Sequence, residues 1–181
     1  MSTKWNADIM FPSDNVFVNR ILSIKAAPSN DGNPMLTIET EVVSPTSYEI
    51  PGVGEVDIQG VKCTTYQTYK VFGDDGEMNV ESTEKCEKRV SKLLSNLEIP
   101  AEDINFSNLG PAVAGLKGKC ILTQMNSRID PQRRTPTAAQ VEAAKKLGKR
   151  AEGDIMKHPK TGRDMVKYWP NIVEIFGLAP V

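Results

Sequence analysis

The chain of 181 residues has one histidine, three cysteines and few aromatics, and each scarcity removes a class of chemistry. Cys63, Cys86 and Cys120 form no CxxC pair, and His158 completes no zinc spacing with them. Three widely separated thiols argue against a disulfide framework and for a reducing, cytoplasmic-type compartment. They are expected as small buried hydrophobes. No GxxxxGK[ST] loop is present, and Gly52-Val53-Gly54 is too short to cradle phosphates. No catalytic motif surrounds His158, so a loop histidine is expected. The acid pairs Asp74-Asp75 and Glu102-Asp103 sit beside turns, where they are ordinary. The sequence therefore assigns no catalytic residue, no metal ligand and no cofactor. No run approaches the ~18 apolar residues of a membrane span. Met1 to Asp14 lacks the basic region and apolar run of a secretory signal. A membrane partner is thus not expected.

What is present is ordinary globular composition, 39% hydrophobic and 25% charged, in a length that suits one domain. The net charge of −1 hides an asymmetry. Residues 128–167 hold eleven basic and five acidic side chains, an excess of +6 that leaves −7 for the rest. A polyanion would be drawn to one part of this molecule and repelled elsewhere.

Residues 1–14 read as an irregular arm. Val16 to Ala27, rich in Val, Phe and Ile, reads as a strand, and Ser29-Asn30-Asp31-Gly32-Asn33 is a turn signal. Met35 to Val43 alternates: Leu36, Ile38 and Val42 on one face, Thr37, Glu39 and Glu41 on the other. Ser44 to Gly60, broken by Pro45, Pro51 and several glycines, reads as a long connection with a short flap. Val61 to Phe72 is a third strand. The period then changes to 3.6. Cys86, Val90, Leu93, Leu94 and Leu97 form the apolar stripe of a helix from about Ser82, its N-cap, to Leu97. Lys119 to Ser127 is a fourth strand. Thr137-x-x-Gln140 resembles a capping box, opening a helix to about Arg150. Met165 to Phe176 is a last strand, and Pro170 within it calls for an edge position or a bulge.

The expected fold class is mainly β with helical insertions, in one domain over 1–181. It is a five-stranded OB-type barrel with a helix between strands three and four. A long basic insertion, 128–167, separates strands four and five.

Particular residues point the same way. The run Gly32-Asn33-Pro34-Met35 through Glu41-Val42-Val43-Ser44-Pro45 resembles the second strand of phage-encoded OB-fold single-stranded DNA-binding proteins. Leu93-Leu94 in the helix, Leu116-Lys117-Gly118-Lys119 before strand four, and Tyr168-Trp169-Pro170-Asn171-Ile172 in the last strand are similar to that family as well. These are strand-and-turn motifs and speak to fold before chemistry. The chain departs from the family in its long insertion. It also closes Phe176-Gly177-Leu178-Ala179-Pro180-Val181, without the acidic tail many such proteins use to recruit partners.

The resemblance implies sequence-tolerant capture of single-stranded DNA in phage-type replication or recombination, in the host cytoplasm. Homo-oligomers and replication or recombination proteins are the further partners it implies. The alternative is a structural or interaction protein, a virion or replication-complex component whose barrel binds protein. The expected phosphate contacts are Arg128, Arg133, Arg134, Lys145, Lys146, Lys149 and Arg150 in the insertion, with Lys62 and Lys70 on strand three. Tyr66 and Trp169 are the stacking candidates. Tyr66 and Tyr69 are three apart on a strand and face opposite ways, so Tyr69 is expected in the core.

Overall fold

A computed structural model describes residues 3–13 and 15–180. They form a mainly β chain. Its elements are β1 (Thr3–Lys4), β2 (Val16–Pro28), β3 (Pro34–Ser44), β4 (Ser47–Ile50), β5 (Gly54–Asp57), β6 (Lys62–Thr68), α1 (Val80–Asn96), α2 (Gly110–Val113), β7 (Cys120–Pro131), α3 (Ala138–Lys146) and β8 (Val166–Leu178). Contacts divide the chain into two compact units. The first takes the described residues of Met1–Trp5, Pro12–Asn126 and Pro170–Val181, and the second Asn6–Phe11 with Ser127–Trp169. The stretch expected as an insertion is thus the greater part of a unit of its own.

The first unit is built on a five-stranded sheet in the order β6-β3-β2-β7-β8. The β2–β3 hairpin turns where the Asp-Gly signal lies, with Gly32 at φ +82° and the Ser29 amide donating to Asn33 O at 2.8 Å. Alternation along β3 buries Leu36, Ile38, Thr40 and Val42. Phe17 and Ile21 from β2, and Ile121 and Met125 from β7, are buried as well. Each such apolar side chain contributes roughly 1.5–3 kcal/mol on removal from water.

The same core holds a polar cluster that alternation does not announce. Asn19 and Thr123 are fully buried. Asn19 Nδ2 donates to Thr40 Oγ1 (3.2 Å), and the Thr40 hydroxyl donates to Cys63 O (3.3 Å). Every buried side-chain nitrogen and oxygen among the described residues has a partner, so the cluster avoids the desolvation penalty of an orphaned group.

Helix α1 starts earlier than expected. Asn79 is the N-cap, its side chain accepting from the Ser82 amide at 3.0 Å, so Ser82 lies inside the first turn. Val90, Leu94 and Leu97 are buried as the stripe requires, joined by Thr83, while Cys86 and Leu93 are only half-buried. The reason is position: Leu93 borders a cleft of about 250 Å³ between β6 and β8.

That cleft marks where the expected barrel is not closed. β6 and β8 are the two ends of the sheet, and among the described residues no strand pairing joins them. Side chains span the seam instead. Cys63 Sγ lies 3.3 Å from Pro170 O. Two turns apart on α1, Arg89 donates to Thr68 O on β6 (3.3 Å) and Asn96 to Ile175 O on β8 (3.0 Å). Pro170 is tolerated in β8 because that strand is an edge. The third strand stops at Thr68, short of Phe72, which makes only an isolated bridge to Met78.

Two segments expected to be irregular form the second sheet, β1-β5-β4. Pro51-Gly52-Val53 turns β4 into β5, closed by the Val53 amide on Ile50 O at 3.0 Å. Thr3 pairs in parallel with Val56. Of the arm over 1–14, Met1, Ser2 and Asp14 lie outside the described residues, and Phe11 is buried in the second unit.

The second unit is held by main-chain bonds. Arg134 donates to Asp154 O, Met156 to Gln132 O, and Gln132 to Met165 O, each at 2.8–2.9 Å. A hairpin over 157–164 is clamped by the Lys157–Asp164 ion pair.

Candidate nucleic-acid interface

Seven of the expected phosphate-binding residues lie in the second unit, and all seven are exposed. Arg133 and Arg134 are fixed by the backbone under them. Gly153 is buried against that backbone: a Cβ there would stand 1.7 Å from Arg134 O, so only glycine allows the approach. Arg133 also donates to Gly153 O at 3.0 Å and faces Glu152 at 3.7 Å. Arg128, Arg134, Lys145, Lys146, Lys149 and Arg150 have no ion pair among the described residues.

Helix α3 carries the lysines. Its capping box is formed: the Gln140 amide donates to Thr137 Oγ1 (3.3 Å) and the Thr137 amide to Gln140 Oε1 (2.9 Å). Gln140 Nε2 also donates to Asp154 Oδ1 at 2.9 Å, tethering the helix start. The helix ends at Lys146, not Arg150. Gly148, at φ +65°, reverses the chain. Lys149 then donates to Ala144 O and Gly148 to Lys145 O, the paired bonds of a Schellman cap. Lys145 and Lys149 are therefore not stacked one helical turn apart, and neither are Lys146 and Arg150. Lys145 and Lys146 occupy the last turn, where the helix dipole favours cations.

Trp169 is 40% exposed, with its indole N–H donating to Asp130 Oδ2 at 3.2 Å. That bond fixes the ring while part of its surface remains accessible. Its neighbour Tyr168 lines a cleft of about 540 Å³ with Gln132, His158 and Arg163. His158 Nδ1 accepts the amides of Lys160 and Thr161 (3.2 and 3.3 Å), which makes it a loop-ordering side chain.

The remaining three candidates belong to the first unit. Tyr66 is 62% exposed and Tyr69 is 5% exposed, the two faces that alternation requires. Burial pushes the Tyr69 phenol above its ordinary pKa, and its ring lies 5.6 Å from that of Phe106. Lys62 is exposed on β6, and Lys70, beyond the strand's end, is half-buried.

Strand register adds residues that the sequence did not nominate. Tyr66 pairs with Thr37, and Thr37 with Lys25. The next row on that outer face is Thr64, Glu39 and Ser23, and the one beyond is Lys62, Glu41 and Arg20. Arg20 binds Glu41 at 3.2 Å, and Ser23 Oγ donates to Glu39 Oε2 at 3.0 Å. Lys25 and Lys62 have no ion pair among the described residues. The face thus offers an open aromatic ring with free cations near it.

Among the described residues no three His, Cys, Asp or Glu side chains cluster as a metal site would need, and no helix is long and apolar enough to cross a membrane. No protein-family model matches the chain, and a search of curated proteins finds no match.

Proposed function

We propose that this chain binds single-stranded DNA with little regard to sequence, as a binding protein and not an enzyme. The observation that carries the reading is the second unit's surplus of unpaired cations. With Asp8 counted, that unit bears +5, leaving −6 on the first, in a chain whose net charge is only −1. Cations exposed without partners can neutralise phosphates and release their counterions, the main source of affinity for nucleic acid. Tyr66 and Trp169 supply stacking surfaces, each worth ~1–3 kcal/mol per base.

Within the five-stranded sheet the chain order supports an OB-type barrel as the parent fold: strands β2, β3 and β6, helix α1, strand β7, a basic segment and strand β8. Replication or recombination of a phage genome in the host cytoplasm, with homo-oligomers on the strand, is the setting the family resemblance suggests. A gel shift with a labelled oligonucleotide, with and without Mg²⁺, tests the reading. Retarded, intact oligonucleotide is expected in both conditions. An unshifted oligonucleotide would favour the alternative, a structural or interaction protein, and Mg²⁺-dependent cleavage would overturn the non-enzymatic reading.

A further inference from the structure

The outer face around Tyr66 has a feature that a purely electrostatic DNA surface would avoid. Glu39, an exposed carboxylate, sits one row from the exposed ring. Thr37 is directly opposite Tyr66, so Glu39 is its diagonal neighbour on the same face, within reach of a long side chain or of a base lying on the ring. Glu41 on the same strand is neutralised by Arg20, but no cation pairs with Glu39 among the described residues. The Ser23 hydroxyl on β2 donates to its Oε2, and Oε1 has no hydrogen-bond partner among the described residues. A free anion beside a stacking platform repels phosphate. It is compatible with a bound strand where the bases lie over the sheet and their edges meet the carboxylate.

The chemistry then selects among bases. A carboxylate only accepts hydrogen bonds. Guanine presents two adjacent donors, N1–H and N2–H, on its Watson–Crick edge, which suits a carboxylate. Thymine presents one N–H between two carbonyl oxygens, which repel it. Unpaired bases in single strands are read on this edge.

We propose that Glu39 reads the Watson–Crick edge of a base stacked on Tyr66, giving this face a preference for guanine over thymine at one position. This rests on the single-stranded DNA reading above. Lys25, in the same row as Tyr66 and without an ion pair among the described residues, is available for the flanking phosphate.

The test is fluorescence anisotropy of the full chain with (dT)12 and (dTdG)6 at one fixed salt concentration, for wild type, Glu39→Gln and Tyr66→Ala. Wild type should bind (dTdG)6 about tenfold more tightly than (dT)12, the scale of one good paired hydrogen-bond contact. Glu39→Gln should weaken (dTdG)6 while leaving (dT)12 equal or tighter, because the same change removes a repulsive charge. Tyr66→Ala should weaken both. Replacing guanine by hypoxanthine, which lacks the N2 amino group, should remove much of the preference. Equal wild-type binding of both oligonucleotides, or equal tightening of both by Glu39→Gln, would overturn the proposal while leaving DNA binding intact. Failure of wild type to bind either would overturn the parent reading, and this one with it.

Discussion

Thr123 Oγ1 donates to Asn19 Oδ1 at 2.7 Å, joining β7 to β2 inside the core of the first unit. Asn19 in turn reaches Thr40 on β3, and Thr40 reaches Cys63 O on β6. Four neighbouring strands are thereby tied at one level. An amide placed elsewhere by a slipped register would be buried without these partners, so the cluster penalises misalignment.

Asn19→Ala should therefore cost about 1–3 kcal/mol, since it leaves the Thr123 hydroxyl buried and unpaired. Adding Thr123→Val should cost less than the sum of the two single changes, because both partners are then gone. Urea denaturation reads this as a lower midpoint with an unchanged slope. An Asn19→Ala midpoint equal to wild type would show that the cluster adds nothing to stability.

Along α1, Leu94→Ala should cost about 2–5 kcal/mol, as a fully buried leucine does. Leu93→Ala should cost clearly less, since Leu93 is half-buried at the seam cleft. Thermal or urea unfolding of the two variants side by side checks the order, and the reverse order would contradict the packing described.

Reversing two charges in the second unit, Lys145→Glu with Lys149→Glu, should leave the chain folded, at a cost of about 0.3–1 kcal/mol from the dipole of α3, and weaken oligonucleotide binding at low salt. If four to six phosphates are neutralised, log K should fall against log[salt] with a slope of roughly −3 to −4 for a single strand. Losing two contacts should flatten that slope by about 1.4. A folded double variant that binds like wild type would remove the basic unit from the site.

The raised pKa of Tyr69 makes a signed prediction. Its phenol is held neutral by burial, so the folded state keeps this proton to higher pH than the unfolded state. The stability linked to it is whole below the ordinary tyrosine pKa of about 10 and is lost as pH rises from there through the folded value. Tyr69→Phe should remove this component of alkaline destabilisation. Ultraviolet titration should show a late-ionising phenol in wild type that is missing from the variant.

Much of this was legible along the chain. The Asp-Gly turn, the alternation of β3, the change of period at α1 and the Thr137–Gln140 capping box are local patterns, and each appears within a few residues of its expected place. The opposite exposures of Tyr66 and Tyr69 agree with strand period, although Tyr69 follows the last residue of β6. The end of α3 was less legible. Ala, Lys and Leu continue past Lys146 with good helix propensity, and one glycine in the left-handed region turns the chain away. Sheet closure was not legible either. Strand order says which strands are edges, but whether two edges meet depends on the curvature of the whole sheet and on what α1 places between them.

Periodicity, turn chemistry and charge are properties of neighbouring residues, so the strands of the five-stranded sheet, helices α1 and α3, their order and the concentration of positive charge in 128–167 can be read along the chain, whereas the second sheet cannot. What surrounds Tyr66 is settled between strands, across the sheet. Strict alternation from Phe17, Asn19 and Ile21 would turn Ser23 and Lys25 toward the core. A register shift between Ile21 and Ser23 leaves an extra residue, Leu22, in β2, and the strand changes face there. Ser23 then pairs with Glu39, and Lys25 joins the row of Thr37 and Tyr66. A bulge is set by how two strands fit each other across the sheet: along β2 the apolar positions pass from Phe17 and Ile21 to Leu22, Ile24 and Ala26, but which residues then share a row with Tyr66 depends on the partner strands.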